Sequence, residues 1–313
     1  MQRIAALVGI VFAISFLCFS LVHILPGNPV NILAGPGATP QAIAILDHQF
    51  GFDRPFFEQY FIWLNNVLHG NLGQSVTAGS VRTYIFGAFK VDVGLIVISQ
   101  AIAFLVAVPL AIYSARRPGR LLDQVASTGT FALFCLPSFV VVIWAVQGLT
   151  VANHVFPAVD TSPFTTGSFL TQVDQYLYAL ILPSLVLALG SIALYYRLLR
   201  SEMALTLQED FITVARSKGL SDRRILWRHA LRPSSVTMLT SSGNNIALLI
   251  TGLFIVEVKF ALPGIGYELI SAINVSDYLT IQGIALITSI TVVVVNFGID
   301  LLLTFVDPRI ARA

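Results

Sequence analysis

Side chains able to do chemistry are scarce in this sequence, and the polar ones that stand out interrupt long apolar runs. Gln100, Asn244, Asn245, Asn296 and Asp300 each lie inside such a run, and Asn296 and Asp300 share a helical face by their i, i+4 spacing. Amides in an apolar setting donate and accept hydrogen bonds without carrying charge. They therefore offer recognition of a passing polar solute rather than bond breaking. The plainer reading is hydrogen bonding between neighbouring helices, worth about 0.6 kcal/mol per contact. Gln100, Asn244, Asn245 and Asn296 are retained as candidates for a polar path. Asp92 sits at the end of a run, where hydration lowers its cost, and is assigned no role.

Other chemistry is excluded by spacing. His23, His48, His69, His154 and His229 are scattered, and Cys18 and Cys135 both lie in apolar runs, so neither a metal site nor a disulfide is expected. No H-E-x-x-H motif and no G-x-x-x-x-G-K-[ST] phosphate cradle is present, so the chain itself is expected to be non-catalytic and to bind no nucleotide. An ion-coupled transporter would place carboxylates near the membrane midplane, where this sequence places amides. The net charge of +2 is too small to argue for nucleic acid.

The elements that must hold these residues are membrane spans. Charged residues make up 11% of the chain and hydrophobic residues 56%, against about 25% charged in an ordinary soluble domain. Six apolar stretches reach the length of about 20 residues that a bilayer demands. They run over about 4–25, 91–113, 128–149, 177–196, 236–256 and 281–305, predicting an all-α integral membrane protein of six transmembrane helices in a single domain, 1–313. The first run is longer than a signal-peptide core and lacks a small-residue cleavage site, so it reads as a retained helix stopped by Pro26-Gly27. Pro109, Pro137 and Pro183 lie within spans and are expected to kink them.

Lys and Arg fix the sidedness. Arg116, Arg117 and Arg120 fill one connection and eight basic residues from Arg197 to Arg232 fill another, whereas 150–176 has none and 257–280 has Lys259 alone. The basic connections, and with them both termini, are expected on the cytoplasmic side. The 26–90 segment is expected outside. Within it, Phe57, Phe61, Leu64 and Leu68 at helical spacing predict an interfacial helix over 55–68 that packs this face on the bundle.

The basic connection 201–235 carries its own punctuation. Thr206 and Glu209 have the spacing of a capping box, Gly219 can end a helix, and Ser221 with Asp222 can start another. The first helix would show a stripe of Phe211, Val214, Ala215 and Lys218, and the second a face of Ile225, Arg228, His229 and Arg232.

The stretch Asp210-Phe211-Ile212-Thr213-Val214-Ala215-Arg216-Ser217-Lys218-Gly219-Leu220-Ser221, followed by Arg228-His229-Ala230-Leu231-Arg232, resembles the cytoplasmic EAA loop of binding-protein-dependent ABC transporter permeases of the dipeptide and oligopeptide type. The likeness extends to Leu25-Pro26-Gly27-Asn28-Pro29, Phe50-Gly51-Phe52-Asp53-Arg54-Pro55, His69-Gly70-Asn71-Leu72-Gly73-Gln74-Ser75, Leu262-Pro263-Gly264-Ile265-Gly266, Asp277-Tyr278, Gln282-Gly283 and Asp307-Pro308-Arg309. Thr213 and Val214 stand where the general pattern has Glu and Ala, with Ala215 kept, and Pro233 follows Arg232 directly.

The resemblance implies a type I importer fold in the inner membrane, with a coupling helix formed by Phe211, Val214, Ala215, Arg216, Lys218, Gly219 and Leu220. It also implies a second related permease, two ATPase domains or subunits that bind ATP and Mg²⁺, and an external substrate-binding protein. The implied cargo is a peptide. Relatives of this type move nickel, haem or other small solutes.

Overall fold

The computed structural model describes residues 2–24, 37–51, 53–75, 79–153 and 169–306. The Pro26-Gly27 stop, Phe52, the Asp307-Pro308-Arg309 ending and the Asp300 side chain lie outside what is described.

Helices dominate, as apolar sequence in lipid requires, because a helix satisfies its own backbone polar groups. In chain order they are α1 (Gln2–Ile24), α2 (Pro40–Phe50), α3 (Phe56–Leu68), α4 (Val81–Arg116), α5 (Leu121–Cys135), α6 (Ser138–Ala145), α7 (Phe169–Thr206), α8 (Asp210–Ser217), α9 (Asp222–Arg224), α10 (Leu231–Phe260), α11 (Ile265–Asn274) and α12 (Tyr278–Val306). Wider π-helical turns extend α6 over Val146–Ala152 and join α9 to α10 over Ile225–Ala230. One small antiparallel ladder pairs Gln74 with Ser80 and Ser75 with Gly79.

Among the described residues, Val81–Arg116, Tyr178–Thr206 and Tyr278–Ile299 are each long and apolar enough to cross a membrane, and Gly9–Ile24 is a shorter apolar helix. Two further candidates are bent pairs. The span predicted over 128–149 is broken into two helices, Leu121–Cys135 and Ser138–Ala152, meeting at 96°, a sharper change of direction than the kink expected at Pro137. Pro137 is the cause: Leu136 and Pro137 both adopt extended backbone, as the residue before a proline is forced to do. The second bend, 48°, falls between Ile250 and Gly252. Pro109 and Pro183 are carried inside continuous helices.

The chain divides into two compact units. The first comprises Met1–Val91 and Pro263–Val293. Its core gathers Val81, Ile85, Ala88, Ile265, Ile284 and Leu286. The approach of α12 to α4 is close enough that a Cβ on Gly283 would lie 2.8 Å from Ile85 and 2.9 Å from Val81, so any side chain there would force these two to give way. Asp277 caps α12, accepting from the backbone N–H of Thr280 at 3.2 Å and from its hydroxyl at 2.8 Å, and also accepts from Ser75 Oγ at 2.6 Å.

An aromatic seam joins α3 to α1 in the same unit. Tyr60 is buried, its ring set edge-on to Phe12, Phe16 and Phe19 at 5.3–5.8 Å, and its hydroxyl lies 2.8 Å from Ser15 Oγ. Phe56 and Trp63 flank it on Phe19. This corrects the sequence expectation. Phe57, Phe61 and Leu68 face outward and Leu64 is half-buried, because the wider aromatic face Phe56–Tyr60–Trp63 wins the contact.

The second unit comprises Asp92–Leu262 and Val294–Ala313. Ala103, Ala107, Ala111 and Ala115 recur every fourth residue of α4 and are all buried. Small side chains of this kind let helices approach closely in lipid, where packing rather than the hydrophobic effect drives association. They join Tyr195, Tyr196, Leu199 and Met203 of α7 and Ile212 of α8 in one core.

Candidate coupling loop and buried polar cluster

Between α7 and α10 the chain folds as two short helical pieces around a sharp corner. The corner is set by Gly219 at φ +74°, where L side chains are strained. Its N–H donates to Arg216 O at 2.9 Å and the Leu220 N–H donates to Ala215 O at 3.3 Å. These two bonds form a Schellman end for α8, so the expected stop at Gly219 is present.

The start differs from expectation. α7 continues through Thr206, and α8 begins at Asp210 after a turn in which the Glu209 N–H donates to Thr206 O at 3.2 Å. No capping box forms, because Thr206 is still the last residue of α7 and Glu209 takes the N-cap position of α8; the Thr206 hydroxyl instead lies 2.9 Å from Ser234 Oγ, tying the end of α7 to the start of α10. Ser221 occupies the N-cap position of α9 without a side-chain capping bond.

On α8 the stripe expected from sequence divides. Ile212 and Ala215 turn inward and are buried, with Leu220 packed against the same core. Phe211 and Val214 remain 47% and 51% exposed beside exposed Arg216 and Lys218. Ile212 is the anchor that sequence reading missed, and its i, i+3 relation to Ala215 was the available signal. The face left free is apolar with a basic border. On the second piece Ile225 is buried while Arg228 and Arg232 are exposed, since the π-helical turns change the angular step that a 3.6-residue period assumes.

The loop is tied to the turn joining α4 and α5. Arg200 of α7 holds Asp123 in a two-pronged pair, Nε to Oδ1 at 2.5 Å and Nη2 to Oδ2 at 2.7 Å. Asp123 is buried and also accepts from the Gly119 N–H at 2.8 Å. Arg116, the last residue of α4, donates to Asp222 at 2.5 Å in an exposed pair.

Earlier on α7 lies a neutral polar cluster. Tyr195, fully buried and stacked on Phe104 at 4.9 Å, donates to Gln100 Oε1 at 2.6 Å. Asn245 Nδ2 donates to Tyr195 Oη at 3.0 Å and to Ser191 Oγ at 2.7 Å. Ser191 and Asn245 are the polar edge of an otherwise mainly apolar cavity of about 210 Å³ that reaches Leu136 and Ser138 at the Pro137 break. Of the four polar-path candidates, then, Gln100 and Asn245 are brought together through Tyr195. Asn244 is exposed and Asn296 half-buried, and neither joins the cluster. Tyr195 was missed because a tyrosine in an apolar run reads as ordinary span content. Among the described residues no group of three His, Cys, Asp or Glu is placed to hold a metal.

Long apolar helices around a buried uncharged polar cluster, with a short capped helix that turns an apolar face outward, describe an α-helical, multi-pass membrane protein, and the family match supplies its transport role. The chain belongs to the family of binding-protein-dependent transport system inner membrane components, whose profile matches residues 107–312, while the profile of that family's N-terminal region matches residues 1–107.

It is similar to a Brucella abortus protein provisionally named as a peptide transport system permease, at 34% identity over 99% of this chain and 98% of the relative. It is also similar to the di/tripeptide transport system permease protein of Pseudomonas aeruginosa at 32% and to the dipeptide transport system permease protein of Escherichia coli at 31%, in both cases over 99% of this chain and 97% of the relative. The fold is thus that of an ABC permease of the type I importer kind, a subunit of systems that also contain an ATPase and a binding protein.

Proposed function

We propose that this chain is one half of the translocation pathway of an ATP-driven importer for dipeptides or oligopeptides. The observation that carries the reading is the outward face of α8, where Phe211 and Val214 are exposed beside Arg216 and Lys218 on a helix fixed at both ends. Exposed apolar side chains rimmed by charge mark a protein contact. The names of the relatives supply the cargo.

In this reading Phe211, Val214, Arg216, Lys218 and Gly219 seat in or shape a cleft of an ATPase subunit, with Ala215 and Leu220 anchoring the helix from behind. The basic connections and both termini face the cytoplasm. Two ATPase subunits bind ATP and Mg²⁺, a second related permease completes the pathway, and an external binding protein delivers the peptide to the 26–90 and 259–280 segments. The chain itself does no catalysis. Gln100, Tyr195 and Asn245 give the pathway uncharged hydrogen-bonding groups, which suits a cargo whose backbone is amide, and Asn244 and Asn296 are secondary candidates.

The test is uptake by the assembled complex in proteoliposomes. Labelled dipeptide should enter only with ATP and binding protein, and Phe211→Asp with Val214→Asp should abolish co-purification of the ATPase. Uptake of a different solute class in place of peptide would overturn the cargo. Retained ATPase binding by the double variant would overturn the coupling site.

A further inference from the structure

We infer that the turn between α4 and α5 is a working part of the coupling device, and that Arg116, Asp123, Arg200 and Asp222 are positioning residues for ATP-driven transport. This rests on the reading of α8 as the point where the ATPase pushes.

The geometry is a closed ring. α7 carries Arg200 shortly before its end at Thr206, α8 follows, the corner at Gly219 leads to Asp222, and Asp222 is bound by Arg116 at 2.5 Å. From Arg116 the chain makes the short turn to Asp123, which is bound back to Arg200 at 2.5 and 2.7 Å. Both flanks of α8 are therefore fastened to the same turn.

Without those fastenings a push on α8 would be taken up at the two non-helical joints beside it, residues 207–209 and 219–221. With them, α8 cannot shift unless the ends of α4, α5 and α7 move with it. Chains of salt bridges and rigid elements of this kind can carry energetic coupling from one site to another.

The two fastenings differ in kind. The fork of Arg200 on Asp123 is planar and largely shielded, and the Gly119 N–H shares the carboxylate, so it fixes orientation as well as distance. The pair Arg116–Asp222 is exposed on both sides. An exposed pair adds little to folding stability, which makes it the clean place to test transmission separately from folding.

The experiment uses the full complex in proteoliposomes, reading ATP hydrolysed per peptide imported, stimulation of hydrolysis by the binding protein, and co-purification of the ATPase. Asp222→Arg should raise ATP used per peptide and lower stimulation by about fivefold, with the ATPase still bound, a shift at the low end of ordinary coupling. Arg116→Asp combined with Asp222→Arg restores the pair and should return both readouts to within about twofold of the unaltered complex. Arg200→Lys, which keeps charge but loses the fork, should also uncouple.

A wild-type ratio in Asp222→Arg and Arg200→Lys would overturn the inference, as would a reversed pair that fails to restore coupling. Stimulation by the binding protein does not depend on knowing the cargo. An unaltered complex that imports no peptide yet shows this pattern of loss and restoration would therefore sink the peptide reading alone.

Discussion

Two short helices are fastened to longer ones in this protein by opposite means. α3 lies on α1 through stacked aromatic rings, with Tyr60 at the centre and a single hydroxyl contact to Ser15. α8 is anchored by two modest apolar side chains, Ile212 and Ala215, and is flanked by ion pairs and a glycine corner. Ring packing is strong but weakly directional, since many tilts give similar energy. Charge-assisted bonds and backbone geometry fix direction with little area. The first suits a part that has only to stay attached, the second a part that has to move others with it.

The sharpest way to break this contrast is at the corner. Gly219→Pro forces φ to about −65° where the chain needs the left-handed region, and transport should fall to background while membrane insertion and ATPase-free stability are retained. Normal uptake would show that the corner direction is irrelevant.

Next in size is the seam. Tyr60→Ala should cost about 3 kcal/mol of thermal stability in detergent, and Tyr60→Phe about 1 kcal/mol through the lost bond to Ser15. Neither should change ATP used per transported solute. A changed ratio would mean that the seam also transmits work.

Smaller still, Tyr195→Phe should cost about 1 kcal/mol by removing the hydroxyl that links Gln100 and Asn245, and it should weaken uptake rather than ATPase binding. Salt then separates the two fastenings. Raising ionic strength from about 0.1 to 1 M shortens the screening length from about 10 to 3 Å, so coupling through the exposed Arg116–Asp222 pair should loosen while the stability of Tyr60 variants relative to wild type stays constant.

The smallest effect concerns Asp53, whose carboxyl is held below the usual carboxylate range mainly by its hydrogen bond to His48. A depressed acid adds stability above its ordinary range and loses it as pH falls through the folded value. Asp53→Asn should therefore remove only a slight acid-side slope from the melting curve.

Much of this was legible in the sequence because lipid imposes strong rules. Apolar runs of sufficient length become helices, and Gly219 can end one where other residues resist. What sequence could not supply was orientation around short helices. On α3 the choice between the Phe57–Phe61 and Phe56–Tyr60–Trp63 faces depends on which rings α1 presents, and that is a tertiary fact. The Thr206–Glu209 pattern is a valid start signal that was overridden because α7 runs on through Thr206, whose hydroxyl pairs with Ser234 on α10. The link of Gln100 to Asn245 through Tyr195 joins residues from three helices, and no local spacing encodes it.

The right-angled break at Pro137 has a consequence for water. Two helices at 96° cannot both run along the bilayer normal, and the fifteen residues of α5 rise only about 22 Å. Pro137 supplies no N–H, so carbonyls in the last turn of α5 lose helical partners. Lipid cannot hydrate them. Such backbone is tolerated at membrane depth only when it is covered by protein or borders an aqueous space, and the cavity edged by Leu136, Ser138 and Asn245 is where that space would open.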